Sequence, residues 1–301
     1  MLPLESVPNV SEGRDEHAIA ALAEAFTSDA RLLDVHSDAD HNRSVFTLVG
    51  RSDGDDDALV TSLVAGIAAA RDVIDLREHE GVHPRVGAAD VVPLAPVRPE
   101  DMTRACNAAL ELGRRVGAEL ALPVFLYGEV GGGLRPAFFR RGGPEELQRR
   151  IDAGELQPDF GPSLLDPRAG GVLVGARKPL VAFNVVLDTD DVEVARAVAA
   201  AVRESSGGLP GVQALGVLLA SSGRAQVSMN VIDVDRVELH EVVERVGREA
   251  GERGASVERA ELVGLLPAAA AVAAAAGPLG LPGLDPSRVL ELNLIGSDLL
   301  V

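Results

Sequence analysis

The 301-residue sequence predicts an α/β protein of the α+β class, made of two halves with the same element order, β-α-β-β-α-β. Short Val- and Leu-rich runs alternate along the chain with longer segments of helical period. The full order of elements occurs once near each end, and 47% of the residues are apolar, which is enough for a packed interior. We therefore predict two subdomains, 1–178 and 179–301.

The first subdomain is predicted to contain, in order, strand 4–10, helix 15–26, strands 31–36 and 44–50, helix 56–76 and strand 91–97. Apolar alternation in "LESVPNV" predicts a strand, and the three- to four-residue spacing in "DEHAIAALAEAF" predicts a helix. Helix 99–120, strand 123–129 and a Gly-, Pro- and Arg-rich tract, 131–175, follow. Loops of that length are either functional or disordered, and the arginines of this one favour a functional loop.

The second subdomain is predicted to contain strand 179–187, helix 191–205, strands 212–219 and 225–233, helix 237–254 and strand 256–266. The uncharged stretch from Leu262 to Leu284 is long enough to span a bilayer, but its middle is alanine and prolines interrupt it. We interpret it as a strand end and a short helix that begins at Pro267 and ends at Gly277-Pro278. We expect no membrane association.

Charge and cysteine content narrow the class of protein. There are 46 acidic and 28 basic residues, giving a net charge of −18, so a nucleic-acid partner is not expected. An anionic ligand would need a local pocket of arginines. The single cysteine, Cys106, excludes an intrachain disulfide and a cysteine-cluster metal site. The first residues lack the pattern of a signal peptide, so we expect a cytoplasmic protein.

The segment "GVHPRVGAAD" (81–90) has neither a helical nor a strand period. His83 within it has two interpretations: it braces a tight turn fixed by Pro84, or it is a general base with a near-neutral pKa. Arg85 would hold an anion beside it, and the flanking glycines, Gly81 and Gly87, would allow close approach to a ligand.

A second polar cluster, "DVHSDADHNRSV" (34–45), also has several interpretations. It is a polar loop with an Asx turn, a metal site, or an anion and proton site shared with His83. We expect no metal, because ligands so close in sequence rarely all point inward.

Arg177 and Lys178, in "GARKPLVAF", are either a solvated pair or a clamp for a carboxylate, for which arginine has bidentate geometry. The glycine-rich segment "GEVGGG" (128–133) lacks the Lys-Ser/Thr pair of a phosphate-binding loop. Nucleoside triphosphate and redox chemistry therefore have no support in the sequence.

Seven ordered blocks cover nearly the whole chain: "VPNVSEG", "LLDVHSDADHNRSVFTLVG", "HPRVGAADVVPLAPV", "LYGE", "PDFGPS", "GARKPLVAFN" and "AQVSMNVIDVD". Together they resemble the formiminotransferase domain of the formiminotransferase-cyclodeaminase family. The resemblance implies two ferredoxin-like subdomains with a folate-binding groove between them, and a homodimer. It also implies a transferase that moves a formimino group from N-formiminoglutamate to tetrahydrofolate, as co-substrate, in histidine degradation.

The resemblance also implies roles for individual residues. The histidine of the family's H-P-R-x-G-A motif is its catalytic base, and His83 occupies that position. Such an imidazole would accept the proton of the attacking amine and return one to the leaving nitrogen. On this basis catalytic roles are assigned to His83, Asp38 and His36, folate binding to Asn42, Arg43, Arg85, Gly87, Tyr127 and Asn184, and substrate binding to Arg140, Arg177 and Lys178.

Two positions depart from the family pattern. The catalytic aspartate of a D-V-D motif is replaced here by His36, so Asp38 or Asp40 is expected to supply the carboxylate. The acidic residue of an I-R-x-G-E motif is Gly143, in "FRRGG", which keeps Arg140. Two alternatives therefore remain: a paralogous folate-dependent formyl- or formimino-transferase with another donor, and a non-catalytic folate-binding protein.

Overall fold

The computed structural model describes residues 2–51, 54–279, 281 and 284–288. The chain divides into two compact units, Met1–Lys178 and Pro179–Val301. Within the described residues each unit contains a β-sheet with helices packed on it, so the predicted mixed α/β class is confirmed.

The first unit contains a seven-stranded sheet. Its strands are β1 (Leu4–Ser6), β2 (Asn9–Val10), β3 (Arg31–Asp38), β4 (Arg43–Val49), β5 (Ala89–Pro96), β6 (Val124–Gly128) and β7 (Val172–Ala176). Across the sheet β3 pairs with β4, both β1 and β2 lie between β4 and β5, and β7 and β6 follow β5. The pairs of β7 with β5 and with β6 are parallel, and the other pairs are antiparallel.

The predicted strand 4–10 is two short strands, because Pro8 interrupts it. Proline has no backbone N–H to donate to a ladder. Its carbonyl oxygen still accepts the N–H of Phe46 at 2.9 Å, which keeps β2 in line beside β4.

Helices of the first unit pack on both faces of the sheet. They are α1 (Glu16–Phe26), α2 (Asp56–Val73), α3 (Met102–Glu119), α4 (Pro136–Arg140) and α5 (Gly143–Asp152). Residues of α1, α2 and α3 share a core with the sheet residues Phe46 and Val92. Because side chains alternate along a strand, Asn9, Arg43 and Val91 lie on the opposite face. That face carries the candidate site.

The prediction of a long loop at 131–175 is wrong. This tract forms α4, α5 and β7, and a second small core joins Phe139 and Leu147 to Phe125 and Leu173 of the sheet. Helices of five and ten residues are too short to give a clear helical period among so many glycines and prolines.

The second unit contains a four-stranded antiparallel sheet in the order β11-β8-β10-β9, formed by β8 (Val181–Leu187), β9 (Val212–Leu219), β10 (Arg224–Val231) and β11 (Val257–Val263). Its helices are α6 (Val192–Val202), α7 (Leu239–Gly251) and α8 (Ala268–Leu279). Asp191 caps α6 by accepting the N–H of Glu193. The first six elements thus follow the order β-α-β-β-α-β.

The Ala-rich helix α8 continues through Pro278 to Leu279, so its predicted end at Gly277-Pro278 is one to two residues early. No helix in the described parts of the chain has the length and apolar character needed to cross a membrane.

Alanine substitutions at two helical glycines should change the free energy of unfolding in opposite directions. A Cβ at Gly66 in α2 would overlap the fully buried ring of Phe26, whereas a Cβ at Gly247 in α7 would meet only Val257, at 3.7 Å. Alanine favours a helix over glycine by about 1 kcal/mol, and overpacking a core costs about 1–3 kcal/mol. Gly247→Ala should therefore raise the free energy of unfolding in urea, and Gly66→Ala should lower it. Equal effects of the two substitutions would contradict this packing.

Candidate active site

The segment 81–88, which carries His83, connects α2 to β5 and is tied to three other parts of the first unit. The N–H of Val82 donates to the carbonyl oxygen of Asp40 at 3.2 Å, and that of Ala88 donates to the carbonyl oxygen of Ala169 at 2.8 Å. The hydroxyl of Ser11 donates to the carbonyl oxygen of Gly87 at 2.7 Å. The loop is therefore held in place by the protein itself.

The two glycines of this loop are required by neighbouring backbone. A Cβ at Gly87 would overlap the carbonyl oxygen of Gly171, and one at Gly81 would overlap the carbonyl oxygen of His41. At both glycines the closely approaching group is the protein's own backbone. Glycine is therefore required at position 87 by the fold, whether or not a ligand binds there.

The half-buried ring of His83 lies against the guanidinium of Arg43. Nη1 of Arg43 is 2.7 Å from Nδ1 and 2.5 Å from Nε2 of the ring. A neutral imidazole accepts one hydrogen bond, so Arg43 bonds one ring nitrogen at a time. A protonated ring would have no acceptor and would face a second cation. The contact therefore favours the neutral ring.

Burial, and then the positive charges of Arg43 and Arg140, hold the pKa of His83 well below its usual 6.5. The ring of His41 is stacked on that of His83, with centroids 5.9 Å apart. At neutral pH His83 is consequently an unprotonated imidazole, the state that a general base needs.

Arg43, at the start of β4, is fixed from the neighbouring strand. Its Nη2 donates to Oδ1 of Asn9 on β2 at 2.5 Å. Burial first, and then the charge of Arg140, lowers the pKa of Arg43 to about 9, so it remains a cation at neutral pH. Asn9 was missed by the sequence analysis, because its place beside Arg43 follows only from the pairing of β2 with β4.

A buried carboxylate, Asp90, joins the loop to Arg140. Asp90 is 2% exposed at the start of β5. Its Oδ1 accepts the N–H of Val86 at 2.8 Å, and its Oδ2 forms an ion pair with Nη2 of Arg140. Asp90 had no predicted role, although it closes the segment that contains His83. We call His83, Arg43, Arg140 and Asp90 the His83 cluster.

Two arginine nitrogens of the His83 cluster have no hydrogen-bond acceptor among the residues that the structure describes. They are Nε of Arg43 and Nε of Arg140, and both are buried. Leaving a buried donor unpaired costs free energy, so each is a position where a ligand carboxylate or carbonyl would bond favourably.

Asn42, which was expected to bind folate, uses its side-chain amide within the protein. Its backbone has a left-handed φ of 47°. Its Oδ1 accepts the N–H of Gly13 and its Nδ2 donates to the carbonyl oxygen of Glu80, both at 2.9 Å. Asn42 therefore holds the β3–β4 turn against the segment before His83.

Arg85 likewise bonds to its own loop. Its guanidinium donates to the carbonyl oxygens of His79, Gly81 and His83 at 2.5–3.3 Å. Three carbonyl groups of an irregular segment are satisfied by one side chain in this way.

His36 and Asp38, the other residues given catalytic roles, lie on β3, which pairs with β4 at the edge of the sheet. Asp38 is opposite Arg43, and His36 is opposite Val45. Oδ1 of Asp38 accepts two backbone N–H groups of the following turn at 2.8 Å, which is an Asx turn. No group of three or more His, Cys, Asp or Glu side chains is arranged to hold a metal ion in the described residues.

Tyr127 and Arg177 are neighbours on the β6–β7 side of the sheet. Burial raises the pKa of Tyr127, while the charges of Arg177 and Arg140 and a hydrogen bond to Arg177 oppose that shift. Nη1 of Arg177 also donates to the carbonyl oxygen of Lys178, whose own side chain is exposed. Arg177 is thus near the buried polar residues, and Lys178 is at the surface.

Asn184 and Gly143 lie outside the His83 cluster. Asn184 is buried on β8 of the second unit, paired with Ser228 and Glu261. Gly143 begins α5 with a left-handed φ of 74°, a conformation that favours glycine over an acidic residue.

Comparison with known proteins identifies the family. A model of the N-terminal subdomain of the formiminotransferase domain matches residues 3–177, and a model of the formiminotransferase domain matches residues 182–277. The chain belongs to the formiminotransferase family.

Curated relatives cover the chain almost completely. It is similar to the glutamate formimidoyltransferase of Thermoplasma acidophilum (37% identity, 97% of both chains) and to that of Streptococcus pyogenes serotype M1 (36% identity, 97% of this chain and 99% of the relative). It is also 40% identical to the formimidoyltransferase-cyclodeaminase of Sus scrofa, with 91% of this chain matching 52% of that protein.

Substitution of Asn42 tests whether this residue stabilises the β3–β4 turn or binds folate. Asn42→Ala removes both amide bonds and leaves a residue poorly suited to the left-handed φ, so the free energy of unfolding should fall by about 1–3 kcal/mol. Asn42→Gly tolerates that φ and should recover part of the loss. Urea unfolding gives both values. Unchanged stability together with weaker folate binding would instead make Asn42 a ligand residue.

Proposed function

We propose that the protein transfers the formimino group of N-formiminoglutamate to tetrahydrofolate, with His83 as the proton-transfer group. The observation that carries the proposal is an imidazole that contacts Arg43 and is kept neutral by burial and by the charges of Arg43 and Arg140, each of which has a buried Nε without an acceptor among the described residues. Membership of the formiminotransferase family and full-length relatives named glutamate formimidoyltransferase support it.

The charge of the donor matches the arginines of the site. N-formiminoglutamate has two carboxylates, and arginine binds carboxylates through paired N–H groups. We assign these contacts to Arg43 and Arg140, whose Nε atoms need acceptors, with Arg177 as a further cation on the same side of the sheet. A chain of net charge −18 needs such a local cluster to attract a dianion.

The reaction requires one proton acceptor that later acts as a donor. The N5 amine of tetrahydrofolate attacks the carbon of the protonated formimino group. A C–N bond forms, the C=N π pair moves to the imino nitrogen, and the amine proton passes to His83. The tetrahedral intermediate then collapses: the C=N bond forms again, the bond from carbon to the glutamate nitrogen breaks, and the imidazolium protonates that nitrogen. The products are glutamate and 5-formiminotetrahydrofolate, and His83 returns to its neutral form.

In this mechanism Arg43 bonds first to His83 and then to a carboxylate of the donor. In the structure it bonds a nitrogen of His83. A donor carboxylate is a stronger acceptor for a guanidinium than a neutral imidazole is, because both partners are then charged. Donor binding should therefore draw Arg43 from the ring and free the base only when substrate is present.

The remaining features are carried over from the family. We propose a role in histidine degradation, a cytoplasmic location and a homodimer. A donor other than formiminoglutamate, such as formylglutamate, is the alternative that the His36 and Gly143 departures leave open, and it is tested in the same assay.

The test is transfer measured as methenyltetrahydrofolate absorbance after acidification of a mixture of protein, formiminoglutamate and tetrahydrofolate. His83→Ala should lower kcat by about a hundred- to ten-thousand-fold, the usual contribution of a general acid–base group. His17→Ala, at an exposed position on α1, is the matched control and should keep full activity. Transfer from formylglutamate alone would reject formiminoglutamate as donor.

The pH profile tests the contact between Arg43 and His83. Because burial and the two arginines lower the pKa of His83, the acid limb of kcat/KM should lie below pH 6.5, and activity should fall as the ring is protonated. Arg43→Gln removes one cation, so the limb should move up towards 6.5, measured between about pH 5 and 8. Arg71→Gln removes the same charge from the surface of α2 and should not move it. An unmoved limb in Arg43→Gln would reject the contact.

A further inference from the structure

Asp90 is the carboxylate of the His83 cluster, and its two oxygens have different partners. Oδ1 accepts the N–H of Val86, three residues after His83, at 2.8 Å. Oδ2 is paired with Nη2 of Arg140, fifty residues further along the chain at the end of α4. One side chain at the start of β5 thus contacts both the loop and the arginine.

The ion pair between Asp90 and Arg140 is buried. Asp90 is 2% exposed and the side chain of Arg140 is 13% exposed, so neither charge has full access to water. A buried charge is stable only with its partner in place, because the desolvation of each must be offset by the other. Arg140 is therefore confined to the position that Asp90 sets, with its Nε still unpaired among the described residues.

We infer that Asp90 is a positioning residue that couples the loop carrying the proton-transfer group to the arginine that binds a donor carboxylate. The inference rests on the proposed function for the identity of the donor. Oδ1 sets the position of the His83 loop, and Oδ2 sets the position of Arg140. These two roles separate experimentally, since asparagine retains an acceptor oxygen for Val86 but has no charge for Arg140.

The first measurement is steady-state kinetics with formiminoglutamate. Asp90→Asn should raise KM by about 10–100-fold, the loss expected for a hydrogen bond to a charged group, and should change kcat little. Asp90→Ala should lower kcat as well, because it also releases Val86. In the double variant Asp90→Asn/Arg140→Gln, KM should be no higher than in Arg140→Gln alone. A normal KM in folded Asp90→Asn, or multiplying effects in the double variant, would overturn the inference.

A matched ion pair controls for loss of stability. Asp56 on α2 accepts two hydrogen bonds from Arg104 at 2.5 and 2.7 Å, and both side chains are largely buried. Asp56→Asn should lower the free energy of unfolding and leave KM for formiminoglutamate unchanged. An equal rise of KM in Asp56→Asn would show that the effect of Asp90 is only structural.

A measurement without substrate distinguishes failure of this inference from failure of the proposed function. Phenylglyoxal labels accessible arginines, and peptide mass analysis locates the label. Asp90→Asn should label faster than the parent protein at Arg140, while hydrogen exchange of the Val86 amide stays slow; in Asp90→Ala both should become fast. If the parent protein transfers no formimino group yet shows this pattern, the proposed function fails and the positioning role stands. Unchanged labelling in both variants would overturn the positioning role itself.

Discussion

The contact between the guanidinium of Arg43 and the ring of His83 is the interaction on which the site depends. It places a group that is cationic at neutral pH within hydrogen-bonding distance of a titratable ring, and the desolvation of both groups makes their mutual effect large. The ring is consequently neutral, and Nε of the arginine has no acceptor in the described part of the chain. In the proposed mechanism the same arginine thus keeps the base neutral and binds the carboxylate of the donor.

The fold produces this contact through strand order. Arg43 and Asn9 meet because β2 pairs with β4, and the face that they share is opposite the one covered by α1, α2 and α3. The His83 loop reaches the same face because it leads directly into β5, the strand on the other side of β2. A central strand shortened by Pro8 therefore lies between the two parts of the site.

The sequence predicts the elements well where their period is clear and poorly where it is not. The strand at 212–219 is confirmed residue for residue, and the acidic residues before α1 and α6 are their caps. The tract 131–175 lacks a readable period, so α4 and with it the position of Arg140 escaped prediction. His83 was found because its segment fits no period. Asn9 and Asp90 were not found, because Asn9 meets Arg43 through sheet pairing and Asp90 meets Arg140 through the packing of α4, neither of which a single sequence shows.

The three carbonyl bonds made by Arg85 have a consequence for the energetics of ligand capture. A flexible loop must lose conformational entropy when it closes on a ligand, and that cost is subtracted from the affinity. Here a side chain of the loop itself satisfies the carbonyl groups of an irregular turn, so the turn is held by the protein's own contacts. In the proposed reaction, the binding of substrate would therefore not have to order this turn, and that part of the entropy cost would not be subtracted from the affinity.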